Sequence, residues 1–96
     1  MEKRVIVRTY SAGVFFGELT NRSEDGQRGE ILNARRLWYW DGAASLSQLA
    51  TEGTMKPSTC KFPAVVSRIE VTQIIEVLDV TEAAASSIDA VRVWSA

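Results

Sequence analysis

Alternating apolar and polar positions dominate the first twenty residues and predict a β-hairpin. Residues 4–10 are rich in β-branched and aromatic types and alternate in character, which is typical of a half-buried strand. A short turn at 11–13 leads into a returning strand at 14–20, with Phe16 on one face and Phe15 and Leu19 on the other. Gly17 lies in the middle of this second strand and predicts a bulge or a sharp bend.

The following segments continue the β pattern and then change to helical spacing. Residues 21–29 are polar and contain the turn pair Asp25-Gly26, which predicts an exposed hairpin loop. Two further strands are predicted at 30–33 and 35–40, although 33–34 could equally be the middle of one long strand. Asp41 is a good N-cap for a helix over 43–52 that ends at Gly53.

The second half of the chain predicts a loop, a long strand and a second helix. Residues 54–63 hold both prolines without periodicity, so we expect a surface loop that could serve as a lid or a partner contact. Residues 68–80 form the longest β-like run, which should be buried on both sides from Ile74 onward. Thr81 caps an alanine-rich helix that extends to residue 90, and 91–94 is a candidate edge strand.

These elements predict a mainly β, α+β fold in a single domain over residues 1–96. A hairpin with a glycine bend and a long closing strand favour a small antiparallel curled sheet, or a barrel of the SH3-like or Sm-like kind, with two short helices. A flat sheet with both helices on one face is the alternative. The sequence contains no internal repeat and no linker that would divide the chain.

Composition and charge narrow the classes of function. The chain has 46% apolar and 24% charged residues and a net charge of -1, so no global field would attract nucleic acid or an anionic membrane. The single cysteine, Cys60, cannot form an intramolecular disulfide, and the lack of histidine removes the commonest metal ligand and general base. We therefore predict no cofactor, no metal and no enzymatic activity. The charged N-terminus lacks a signal-peptide or membrane-span pattern, so a cytoplasmic location is expected.

The candidate chemistry is concentrated between residues 33 and 50. Planar guanidinium groups, flat rings and hydroxyls near a helix start suit an aromatic ligand that carries phosphate. Period-two alternation places Arg36, Trp38 and Trp40 on one face and Arg35, Leu37 and Tyr39 on the other. The predicted ligand-binding residues are Tyr10, Arg35, Arg36, Trp38, Trp40, Ser45 and Ser47.

The same residues also have a purely structural interpretation. Each aromatic ring buries about 150–250 Å², and a domain this small needs such mass in its core. The arginines could be exposed strand residues paired with Glu18 or Glu30 across the sheet. Asp41, if it caps the first helix, would occupy the free N–H groups and repel an anion.

Four segments carry a resemblance to a known group of proteins. They are VRTYSAGVFFGEL at 7–19, NARRLWYW at 33–40, GAASLSQLA at 42–50 and IEVTQIIEV at 69–77. In these segments the chain resembles a family of small, largely uncharacterised proteins encoded by bacteriophages. The resemblance implies a phage origin, the cytoplasm of a host bacterium and no assigned functional residue.

These observations support three hypotheses. The first is a non-enzymatic anti-defence factor that sequesters a nucleotide-like signalling ligand as a homo-oligomer, because sites between protomers can enclose a small polar molecule. The second is a protein–protein inhibitor or regulatory module acting on a host protein through aromatic and arginine hot spots. The third, a single-strand nucleic-acid binder, is disfavoured by the acidic pI near 5.4.

Overall fold

A computed structural model describes residues 3–95, so the first two residues of the charged N-terminal segment and the last residue lie outside it. The described part of the chain forms five antiparallel strands in one sheet. They are β1 (Val5–Thr9), β2 (Val14–Thr20), β3 (Gly29–Arg36), β4 (Val66–Val71) and β5 (Ile74–Asp79). Two helices, α1 (Leu46–Glu52) and α2 (Glu82–Asp89), and a 3₁₀ turn at Pro57–Thr59 complete the fold. The predicted mainly β, α+β class is confirmed.

The sheet is curled but not closed. Its strand order is β4-β3-β2-β1-β5, so β4 and β5 lie at opposite edges. Only Thr72 and Gln73 connect these two edge strands, and Gln73 adopts a left-handed backbone with φ of 58°. Such a short connection requires the edges to approach each other at one end. The predicted single strand over 68–80 is therefore wrong, because the chain bends there and crosses from one edge to the other.

Two hydrophobic clusters lie on opposite sides of the curled sheet. The inner cluster is built entirely from strand residues: Val5, Val7, Phe15, Ile31, Ala34, Val71 and Ile74. The outer cluster combines strand residues with the helices and loops: Ile6, Phe16, Leu37, Leu49, Ala50, Cys60, Phe62, Ala85, Ile88 and Val91. The curled sheet predicted from the sequence thus carries its helices on one side, a feature that the sequence analysis attached to the flat-sheet alternative.

A bulge in β3 explains the glycine in β2. Phe16 pairs with Arg35 and Glu18 pairs with Leu32, so β3 has one extra residue opposite Gly17. Asn33 takes the left-handed conformation that this bulge requires, with φ of 51°. A Cβ on Gly17 would lie 2.7 Å from the Leu32 carbonyl oxygen, so a side chain there would require the backbone of β3 to shift. The two strands predicted at 30–33 and 35–40 are consequently one bulged strand that ends at Arg36.

The first helix begins later than predicted. Ser45, rather than Asp41, is its N-cap, and the Ser45 hydroxyl accepts a hydrogen bond from the Gln48 N–H at 3.1 Å. Asp41 instead accepts hydrogen bonds from the Gly42 N–H and from the hydroxyl of Thr59, which lies in the 3₁₀ turn after α1. The predicted end at Gly53 is confirmed, since Gly53 has φ of 82° and its N–H donates to the Leu49 carbonyl.

The structure decides four other predictions for the second half of the chain. Thr81 caps α2 as predicted, accepting a hydrogen bond from the Ala84 N–H. Residues 54–63 are more than a surface loop, because Phe62 is fully buried in the outer cluster. Residues 91–94 form only an isolated parallel bridge, between Val93 and Phe62, instead of an edge strand. Ile75 is half exposed, so the expected burial of both faces beyond Ile74 is also wrong.

No helix within residues 3–95 is long and apolar enough to cross a membrane.

Candidate functional site

Arg35 is buried and holds three segments of backbone together. Its side chain is 5% exposed and donates to four carbonyl oxygens. The acceptors are those of Pro63 at 3.1 Å, Ile88 at 2.8 Å, Phe62 at 3.2 Å and Val91 at 2.7 Å. Two of these carbonyls lie at or just beyond the C-terminal end of α2, where a cation is favoured by the helix dipole. The sequence pattern predicts that Arg35 binds a ligand, but in the structure its side chain binds the protein's own backbone.

The electrostatic environment of the Arg35 guanidinium is that of a buried cation. Burial lowers the pKa of the Arg35 guanidinium, and the negative charge of Asp89 acts in the opposite direction. Because an arginine stays protonated even when its pKa is lowered, the buried cation must be stabilised by its carbonyl partners. All three nitrogens of the guanidinium are used in this way.

The structure does not place the three residues of one predicted face, Arg36, Trp38 and Trp40, on a common surface. Arg36 is half buried, with its guanidinium carbon 4.6 Å from the centroid of the Phe15 ring. Trp38 is 63% exposed, whereas Trp40 is partly buried and packs against the outer cluster. The alternation fails because the chain leaves the sheet after Arg36. Trp38 is thus the exposed one of the two tryptophan rings.

The remaining predicted residues lie apart from one another. Tyr10 is 75% exposed at the β1–β2 turn. The Ser45 hydroxyl is engaged as the cap of α1, and Ser47 is exposed on the first turn of that helix. Hydrogen bonds from the Gly42 N–H and the Thr59 hydroxyl lower the pKa of Asp41.

A different set of residues brings exposed rings and a cation into contact. Tyr39 and Lys61 form an isolated antiparallel bridge, in which the Lys61 N–H donates to the Tyr39 carbonyl at 2.8 Å. The backbone N–H of Trp94 donates to the Phe62 carbonyl at 3.0 Å, and this bond places the Trp94 ring beside the same segment. The Lys61 Nζ lies 5.8 Å from the centroid of the Tyr39 ring and 5.6 Å from that of Trp94. We refer to Tyr39, Lys61 and Trp94 as the aromatic–lysine cluster.

Trp94 also belongs to a surface groove. The groove has a volume of about 460 Å³, within the range of small-molecule sites. We call it the Trp94 groove, and it is lined by Pro57, Ser58, Cys60, Ala90, Arg92, Val93 and Trp94. It combines an exposed ring with the exposed cation Arg92 and a short apolar wall.

The charges around the Trp94 groove are mainly positive. Arg92 lines it, Lys61 touches the ring of Trp94, and Lys56 precedes its Pro57 wall. The nearby carboxylate of Asp89 is paired with Arg4 at 2.9 Å. None of the residues that line the groove is acidic, so an anion that entered it would meet Arg92 without a competing carboxylate in the lining.

Cys60 lies at the base of the groove as a structural thiol. It is 7% exposed, and its sulfur is 3.5 Å from both the N–H and the carbonyl oxygen of Asp41. Its contacts with Thr54 and Lys56 are of similar length. These contacts fix the 54–60 segment against residue 41.

Sequence reasoning missed this site because its members are far apart in the chain. The alternation groups Tyr39 with Leu37 on the face opposite the predicted site, and Lys61 falls within the predicted surface loop at 54–63. Trp94 was placed on an edge strand. Both rings lie in predicted strands and only Lys61 lies in a predicted loop, so nothing in the sequence indicates that residues 39, 61 and 94 meet.

The fold and this surface define a small α+β protein with a curled sheet and an exposed aromatic and basic groove. A family model described as a domain of unknown function, DUF6948, matches residues 2–88. The chain therefore belongs to that family. No curated protein and no solved structure matches it.

Proposed function

We propose that this chain is a non-enzymatic binding protein whose Trp94 groove captures a nucleotide-like ligand that carries phosphate. The observation that carries the proposal is the position of the Lys61 ammonium against two exposed rings at the edge of a basic groove. A base can stack on Trp94, and base–aromatic stacking is worth about 1–3 kcal/mol. Arg92 and Lys61 would then pair with phosphate.

The ligand is of the class predicted from the sequence, but its site is the Trp94 groove and not the segment 33–50. Arg35 supports the site from within, because it binds the carbonyls of Phe62 and Val91, which flank Lys61 and Arg92 in the chain. The resemblance to bacteriophage proteins adds a setting, in which the ligand is a host signalling nucleotide and capture is a form of anti-defence sequestration.

The first test asks whether a nucleotide binds at all. Protein purified from bacterial cells should release a phosphate-bearing small molecule on denaturation, detected by mass spectrometry. Calorimetric titration with ADP should show binding, and adenosine should bind more weakly because it lacks phosphate. No released nucleotide together with no heat from ADP would refute the proposal.

The second test locates the site. Trp94→Ala should weaken ADP binding by about tenfold or more, the loss expected for one stacked base. Trp38→Ala is the matched control, since Trp38 is at least as exposed but lies outside the groove. Lys61→Gln should weaken ADP more than adenosine. Equal ADP affinities for Trp94→Ala and the wild type would exclude the groove.

A second candidate function is favoured by Trp38. Its ring is 63% exposed and lies two residues beyond Arg36, and tryptophan and arginine are enriched at the centres of protein–protein interfaces. On this candidate the protein inhibits or regulates a host protein. Trp38→Ala would then abolish co-purification of one defined host protein, whereas Trp94→Ala would not.

A further inference from the structure

Strand β4 leaves one edge of the sheet open. Within the described residues β3 pairs with it on one side, and no strand pairs with its other side. The chain that enters β4 is apolar and exposed, with Val65 at 55% and Val66 at 47% exposure. An exposed apolar edge strand is a template for pairing with another chain.

The opposite edge, β5, is protected. Arg8 pairs with Glu76 and Thr9 with Ile74, so Ile75 is a bulged residue that interrupts the ladder. An ion pair lies beside it, since Arg8 donates to Glu76 at 2.8 Å. Bulges and charges are the devices by which natural sheets prevent edge pairing. β4 has neither a register shift against β3 nor a charge in its exposed first two residues, Val66 and Ser67.

Two side chains of opposite charge lie on either side of the centre of β4. Arg68 and Glu70 flank Ile69, and Arg68 binds Glu30 on β3 at 2.7 Å. Glu70 lies directly opposite Glu30 across the β3–β4 ladder, and like charges in that position are destabilising. Among residues 3–95, Glu70 forms no salt bridge. A cation supplied from outside the chain would relieve this repulsion.

We propose that β4 pairs antiparallel with β4 of a second copy of this chain, about a two-fold axis at Ile69. In that register Arg68 of each copy lies opposite Glu70 of the other, so the contact contains two opposite-charge pairs. Isologous pairing of this kind is the commonest oligomeric arrangement. Val66 then lies opposite Thr72 of the other copy, just beyond the end of its β4, so the contact covers the open edge from Val66 onward and joins the two sheets. The inference is independent of the ligand proposed for the Trp94 groove.

Analytical ultracentrifugation tests the edge. The wild type at about 100 µM should sediment as a dimer that dissociates on dilution. Val66→Lys should weaken self-association by about tenfold or more, because it places a charge on the paired edge. Ile75→Lys, at a similarly exposed apolar residue on β5, is the matched control and should leave the dimer intact. Circular dichroism confirms that each variant is folded.

A charge exchange tests the register. Arg68→Glu and Glu70→Arg should each dissociate the dimer, since each opposes like charges at both contacts. An equimolar mixture of the two variants should form a heterodimer, detected by native mass spectrometry, because every facing pair is then of opposite charge. A monomeric wild type, an unaffected Val66→Lys dimer, dissociation of Ile75→Lys alone, or no heterodimer in the mixture would overturn the proposal.

Discussion

Replacing Arg35 with alanine should destabilise the fold severely, although the sequence pattern predicts that Arg35 binds a ligand. The substitution removes a buried cation and leaves four carbonyl acceptors without it. Each unsatisfied buried acceptor costs about 1–3 kcal/mol, but these costs are not additive, and water can reach part of the site. Because the partners are neutral carbonyls, no unpaired charge is left behind, and two or more poorly satisfied acceptors give an expected loss of about 3–5 kcal/mol. That is a large part of the total stability of a small domain.

Urea unfolding followed by circular dichroism measures the effect as a change in the free energy of unfolding. Arg35→Lys should give an intermediate loss, because one ammonium cannot reproduce the planar fork of the guanidinium. Arg36→Ala is the matched control: it removes a 3.5 Å contact with the Ala12 carbonyl and one stacking contact worth about 0.5–1 kcal/mol. An Arg35→Ala variant within about 1 kcal/mol of the wild type would refute the structural role.

Three further predictions concern stability. Gly17→Ala should cost about 1–3 kcal/mol in urea unfolding, because its Cβ would lie 2.7 Å from the Leu32 carbonyl oxygen; a neutral effect would contradict the bulge opposite it. Ser45→Ala should cost about 1 kcal/mol through the lost helix cap, and Ser47→Ala on the exposed face should cost much less; equal losses would argue against the cap. The lowered pKa of Asp41 contributes stability that is present above the unfolded value of about 3.9 and is lost as the pH falls through the folded value. Acid titration of unfolding should therefore be shallower in Asp41→Asn, and identical profiles would show that these hydrogen bonds do not favour the ionised form.

Much of the fold was predictable because local signals agreed with the tertiary structure. The first hairpin, the polar turn at Asp25-Gly26 and the cap at Thr81 all depend on residues close in sequence. Gly17 indicated an irregularity, but the extra residue lies on the partner strand at Asn33. A glycine on one strand does not reveal whether the extra residue of a bulge lies on that strand or on its partner. The sequence therefore could not show that β3 carries the bulge.

The failures have a common physical cause. Period-two alternation separates two faces only while the chain remains in the sheet, and it leaves the sheet after Arg36. Arg35 looked available because its four partners come from segments 27 to 56 residues away. The run over 68–80 looked continuous because the bend at Thr72 and Gln73 needs neither glycine nor proline.

Capture of a nucleotide-like ligand in the Trp94 groove can be followed by backbone amide chemical shifts, recorded by NMR during titration with ADP, since they report which residues the ligand approaches. Binding in the groove should shift the amides of residues 57–62 and 90–94 and leave those of Tyr10 and Trp38 almost unchanged. Shifts centred on Tyr10 and Trp38, or none at saturating ADP, would rule out capture by the groove.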